Sequence, residues 1–175
     1  MFNAGEASRK AACIVDLIND HKLEAVAICE TWIKETAPDT IKSGLAPSGF
    51  TVSHVHRPII PDGPSRGGGG LAFLASNDFV VRPHPSQATN KPIKIEHQLV
   101  NVRIGHHVIA VATVYRPPST SKSTFLVEFA DLLISLSLQS VDCLLVCCDM
   151  NMPVCNPGTI DDDLLELLDQ QSMTQ

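Results

Sequence analysis

Asp149 and Asn151 stand one residue apart, directly after the apolar run Cys143 to Cys148. Side chains two apart on an extended chain share a face, so this carboxylate and this amide can aim at one point. Hard oxygen groups delivered to the mouth of a buried strand suit Mg²⁺ and phosphate chemistry. Taken alone, the pair reads more readily as a strand followed by an Asx-type turn, because Asp and Asn favour turns for local reasons. A second acid, Glu30, closes a second short apolar run, Ala25 to Cys29, and is followed by Thr31 and Trp32. On burial base rates such a lone Glu is more often a surface strand terminus than a metal ligand. Tyr115, the only tyrosine, ends a third strand and runs into Arg116-Pro117-Pro118. The two prolines hold the backbone extended, so the ring is presented stiffly.

The elements that must position these groups follow from periodicity. Apolar Ala11, Ile14, Val15 and Ile18 recur at helical spacing, which predicts an amphipathic helix from Ala7 to His21. Thr51 to His56 and Leu71 to Ser76 read as strands around a long loop from Pro58 to Gly70, which carries Arg66 and four successive glycines. The glycines are first of all a flexible turn. No Gly-Lys-Ser/Thr follows them, so they are not a P-loop. Ile95 to Ile104 and His106 to Tyr115 predict a hairpin about Gly105. Ser123 to Leu138 is the clearest helix, with Ser123 or Thr124 as its cap. A last helix opens at Asp161-Asp162-Asp163, acids that suit a helix N-terminus. Two sheets packed face to face, with the helices outside, would bury both helical stripes.

Composition bounds the function. A chain of 175 residues fits one domain, and 44% apolar with 18% charged residues describes a globular protein. No apolar run approaches the ~20 residues of a membrane span. Six cysteines without a C-x-x-C pair give no zinc signature and read as reduced core thiols of a cytosolic or nuclear setting. A net charge of −6 argues against a broad electrostatic grip on nucleic acid, while leaving room for a locally basic edge.

Five short segments in order carry a resemblance: Asn3-Ala4 with Ser8-Arg9-Lys10, Glu30-Thr31-Trp32, Arg66 with its glycines, Tyr115-Arg-Pro-Pro, and Asp149-Met-Asn151. Together they resemble the endonuclease/exonuclease/phosphatase superfamily, and specifically the apurinic-type endonuclease domain of non-LTR (LINE-like) retrotransposons. The resemblance spans nearly the whole chain, residues 1–175, as a single partial domain. It implies a four-layer α/β/β/α sandwich (DNase I-like) and hydrolysis of DNA phosphodiesters dependent on Mg²⁺, or on Mn²⁺ in its place. Carried over by residue, it implies that Glu30 holds the metal with Asn3 nearby. Asp149 would activate the attacking water, and Asn151 would hydrogen-bond the phosphate. Tyr115 would contact the scissile phosphate or hold the metal-binding acid, and Arg66 would meet the DNA backbone.

The sequence departs from that pattern in places. Cys148 stands where the family usually has glycine, and Gly5-Glu6 follow Asn3-Ala4 where it has Arg-Ser. The family's first strand is essentially missing before Asn3. The resemblance also implies later strands with an aspartate and a Ser-Asp-His motif, and none of the seven histidines reads as its substitute. The expectation is therefore a truncated domain of weak or absent activity, with an apolar sheet edge open to solvent. The competing readings are a phosphatase of the same superfamily and a non-catalytic remnant or interaction module.

Overall fold

The computed structural model describes residues 1–57, 68–87, 94–138, 141–152 and 161–173, so Arg66 and Gly67 lie outside the described residues. Its strands are β1 (Phe2–Asn3), β2 (Ala25–Cys29), β3 (Phe50–Val55), β4 (Leu71–Ser76), β5 (Val80–Pro83), β6 (Glu96–Ile104), β7 (His107–Tyr115) and β8 (Cys143–Asp149). Its α-helices are α1 (Ala11–Asp20), α2 (Asp39–Ser43), α3 (Lys122–Ser137) and α4 (Asp162–Gln170). A 3₁₀ turn, Ala7–Lys10, leads into α1.

The strands form two four-stranded sheets, ordered β1-β2-β4-β3 and β5-β6-β7-β8, here called sheets A and B. Ala27, Phe73 and Ala75 of sheet A pack against Val100, Val102 and Val111 of sheet B. On the outer face of sheet A, Ile14 and Ile18 of α1 meet Val26, Ile28 and Leu74. On the outer face of sheet B, Phe125, Phe129, Leu132, Leu133 and Leu136 of α3 meet Leu99, Ala112 and Val114, with Leu164 of α4 beside them. Burying each such side chain is worth about 2 kcal/mol, so both helical stripes help hold the layers together. The order is helix, sheet, sheet, helix, as the sequence leads one to expect.

Both sheets contain the same unit. A parallel pair, β1 with β2, is joined through α1, and another, β7 with β8, is joined through α3. Parallel neighbours need such a crossover. In each unit the carboxyl ends of the strands finish at the same end of the sandwich. The hairpin about Gly105 is present, with Ile104 opposite His107.

Several local expectations are corrected. A first strand exists before Gly5, two residues long, because β2 offers Phe2 and Asn3 a parallel ladder. The cap of α3 is Ser121, whose hydroxyl accepts from Thr124 N at 3.1 Å, not Ser123 or Thr124. The cysteine-rich strand β8 is not fully buried: Leu145 is 51% exposed and Cys143 is exposed. Its apolar run matches a central strand, yet among the described residues it pairs only with β7. An apolar cavity of about 710 Å³ has Phe2, Val26, Phe73, Val111, Leu145 and Cys147 in its walls.

Candidate active site

The carboxyl ends of β1, β2, β7 and β8 meet where the two sheets join. Asn3 Nδ2 donates to Asp149 Oδ2 at 2.9 Å, linking the end of β1 to the end of β8. Tyr115 Oη donates to Glu30 Oε1, linking the end of β7 to the residue after β2. Within sheet B, Tyr115 and Asp149 are direct register partners. Asn151 N donates to Asp149 Oδ1 at 3.3 Å, the Asx-type contact anticipated for this pair. Asn3, Glu30, Tyr115, Asp149 and Asn151 therefore surround one place.

Glu30 reaches that place through a break in its ladder. Cys29 opposes Leu71 in the β2–β4 pairing, but the next bonds are Thr31 N to Gly70 O at 3.1 Å and Trp32 N to Gly69 O at 2.8 Å. One extra residue has entered β2's side of the ladder, and it is Glu30. Its φ of 56° lies in the left-handed region, as does Trp32 at 55°. A bulge whose first residue is left-handed normally places glycine there, and bulges next to sites re-aim a side chain. For a residue with a Cβ that conformation costs about 1–2 kcal/mol. Gly68, Gly69 and Gly70, with φ of 85°, 78° and 87°, form the opposing side.

Electrostatics follow from burial. Tyr115 is buried, and burial first, then the bond to Glu30, pushes its phenol well above the ordinary range. It stays protonated at neutral pH and serves Glu30 as a donor. Cys29 Sγ contacts Asp149 Oδ2 at 3.4 Å. Its thiol is raised by burial and then by Asp149, so it too remains a neutral neighbour. Cys148 is likewise raised by burial and by Asp149, and it packs against the α3 core.

Some functional neighbours carried no sequence signal. Arg116 is 8% exposed and gathers three carbonyls: Met150 O at 3.0 Å, Asn151 O at 2.8 Å and Thr120 O at 2.5 Å. It thereby fixes the Asp149–Asn151 segment. The Asn151 side chain donates to Arg116 O at 2.9 Å, with Asn151 itself at φ 45°. The sequence marks Arg116 only as part of the Tyr-Arg-Pro-Pro segment. Three histidines are enclosed by the fold. His54 lies in β3 bonded to Thr31 Oγ1 at 2.9 Å, and His84 and His97 are buried. Burial first, then Lys42 and His56, lowers His54 to about 4.

The donor set fits a hard cation of modest demands. Among the described residues no group of three or more His, Cys, Asp or Glu forms a cage. Mg²⁺ characteristically takes one or two carboxylates and keeps several waters, so a cage is not required. Glu30 and Asp149 supply carboxylate oxygens at one place, and Asn3 beside them turns its Nδ2 to Asp149 and its Oδ1 to Gly5 N at 3.2 Å.

No family model and no curated protein matches the sequence. Solved structures do match its fold. The endonuclease/exonuclease/phosphatase protein from Bacteroides vulgatus superposes with a TM-score of 0.62 at 14% identity, over 97% of this chain and 69% of that one. The endonuclease domain of TRAS1, a telomere-specific non-LTR retrotransposon, gives 0.59 at 14% identity, over 97% and 68%. TDP2 from D. rerio, solved with a single-strand DNA product, gives 0.58 at 9% identity, over 95% of this chain and 62% of that one. The chain thus shares the DNase I-like architecture of these structures. It spans between three-fifths and seven-tenths of the length of these neighbours.

Proposed function

We propose that this chain hydrolyses DNA phosphodiesters, as a strand-nicking endonuclease of retroelement type that uses Mg²⁺, and that it does so slowly on its own. The observation that carries this reading is the pair of hydrogen bonds, Asn3 to Asp149 and Tyr115 to Glu30, that ties four strand ends from two sheets around one place. Glu30, with Asn3, holds the ion, and Mn²⁺ is able to replace Mg²⁺ there. When bound, the ion neutralises charge on the phosphate. Asp149 accepts the proton of the attacking water. Asn151 has a second amide hydrogen beyond the one given to Arg116, and it donates this to a phosphate oxygen. Tyr115 fixes the Glu30 carboxylate and borders the scissile phosphate. Arg66, outside the described residues, meets the DNA backbone.

The slowness proposed for these 175 residues rests on the resemblance, whose Ser-Asp-His tripeptide does not occur among them. One absent transition-state donor typically costs about 10²–10³ in rate. The test is supercoiled plasmid incubated with the chain and Mg²⁺, beside a soluble phosphomonoester. Nicked circles that accumulate slowly, and disappear with chelator or with Asp149→Asn, are the expected result. Turnover of the monoester with intact plasmid would make the chain a phosphatase. Neither reaction, with Mg²⁺ affinity unchanged by Glu30→Ala, would make it a non-catalytic module.

A further inference from the structure

Glu96 begins β6 and is only 4% exposed, yet it carries none of the chemistry assigned above. A carboxylate so deep needs partners, and among the described residues it has Arg57 and Gly70. Arg57 Nε lies 2.5 Å from its Oε1, and Gly70 N donates to its Oε2 at 2.6 Å. A buried ion pair of this kind is seldom a net stabiliser compared with apolar packing, so its presence asks for a positional explanation.

The pair sits directly on the glycine tract. A Cβ at Gly69 would stand 2.2 Å from Arg57 Nε and 2.5 Å from Glu96 Oε1. The opposite side of the same tract faces the bulge: a Cβ at Gly70 would stand 2.5 Å from Thr31 Oγ1, and one at Gly68 would stand 3.0 Å from Trp32 Nε1. The carbonyls of Gly69 and Gly70 are the acceptors that set the shifted ladder beyond Glu30. Glu96 also opposes Tyr115 across β6 and β7. One carboxylate from sheet B therefore grips the tract that shapes Glu30's bulge in sheet A. Its ladder partner carries the phenol that binds Glu30.

We propose that Glu96, keyed by Arg57, is a positioning residue: it clamps Gly68–Gly70 and so holds the Glu30 bulge where Tyr115 meets it. What Glu30 then does rests on the function proposed above, but the clamp is tested separately from it. Trp32, the only tryptophan, follows the bulge and touches the tract, so its emission reports the clamp in the metal-free full chain. Acrylamide quenching of Trp32 is measured in the wild type, Glu96→Gln, Glu96→Ala and Arg57→Met, with Leu133→Ala as a control destabilised in the α3 core. Mg²⁺ affinity is measured by calorimetry with the metal alone.

The clamp predicts stronger quenching and a red-shifted Trp32 emission in the three clamp variants, largest in Glu96→Ala, with none in the control. It also predicts a loss of about 10–100-fold in Mg²⁺ affinity, the usual effect of removing a residue that orients a ligand. If Glu96→Ala fails to fold, Glu96→Gln carries the test, since it keeps the shape and an acceptor for Gly70 N–H. Folded Glu96→Gln and Arg57→Met with wild-type Trp32 quenching would overturn the proposal. A wild type that binds no Mg²⁺ while Trp32 still responds would defeat the metal assignment and leave the clamp standing.

Discussion

In sheet A the strand that leads to Glu30 is flanked on both sides, by β1 and β4, and four of its five residues are buried. In sheet B the strand that ends in Asp149 has β7 on one side and, among the described residues, no strand on the other. The two β–α–β units also finish differently. Asp149 stays in its ladder, opposite Tyr115, and the next bond, Arg116 N to Asp149 O at 2.9 Å, continues it. Glu30 leaves its ladder through a left-handed bulge. A flanked strand can be forced into an unfavourable backbone because neighbours on either side over-determine it. An edge strand has no such support, so its terminal group is better held in regular geometry and fixed from behind, here by Arg116.

The contrast leads to measurable differences between the halves, taken from the largest effect down. Asp149→Asn is expected to lower nicking by about 10³-fold at saturating Mg²⁺, because the proton acceptor is gone while one carboxamide oxygen remains for only one of the two donors, Asn3 Nδ2 or Asn151 N. Arg116→Met leaves the carbonyls of Met150, Asn151 and Thr120 without their donor and should cost about 2–3 kcal/mol, read as a lower urea midpoint. Tyr115→Phe frees the Glu30 carboxylate and should weaken Mg²⁺ binding by about 10-fold while leaving the rate at saturation nearer the wild type. If Tyr115→Phe instead reduced only the saturated rate, the phenol would belong to the phosphate and not to Glu30.

Backbone strain gives a smaller effect. Glu30→Gly and Glu30→Ala both remove the carboxylate, but only glycine relaxes at φ 56°. The glycine variant should be the more stable by about 1 kcal/mol in urea unfolding, and equal stability would mean the bulge is unstrained. The remaining effect is a pH dependence. His54 titrates near 4 when folded against an ordinary 6.5, so the unfolded chain binds the proton first. Stability should therefore fall as pH drops from about 6.5 through about 4, and His54→Gln should flatten that slope.

Much of this was legible in the sequence because burial patterns are local. Two helices with one apolar face each pointed to sheets packed face to face, while the four-layer sandwich and the grouping of Glu30, Tyr115 and Asp149 were expected from the resemblance that the five segments carry. What the sequence concealed depends on neighbours distant along the chain. The run Cys143 to Cys148 is apolar, but nothing in it tells that β8, among the described residues, pairs on one side only. The bulge at Glu30 is imposed by Gly69 and Gly70, and no residue next to Glu30 announces it. Glu96 looks like the polar start of a strand until Arg57 is brought beside it. His54 looks like a polar strand residue until Thr31 covers its ring nitrogen.

The tight seating of the ion pair on Gly69 bears on how this chain tolerates copying errors. Every missense change of a glycine codon adds a Cβ, and at this position that atom would fall within 2.6 Å of both Arg57 and Glu96. No replacement there is conservative. The stretch that composition alone would rank as the freest to drift thus holds, at Gly69, a position where any side chain must displace the Arg57–Glu96 pair.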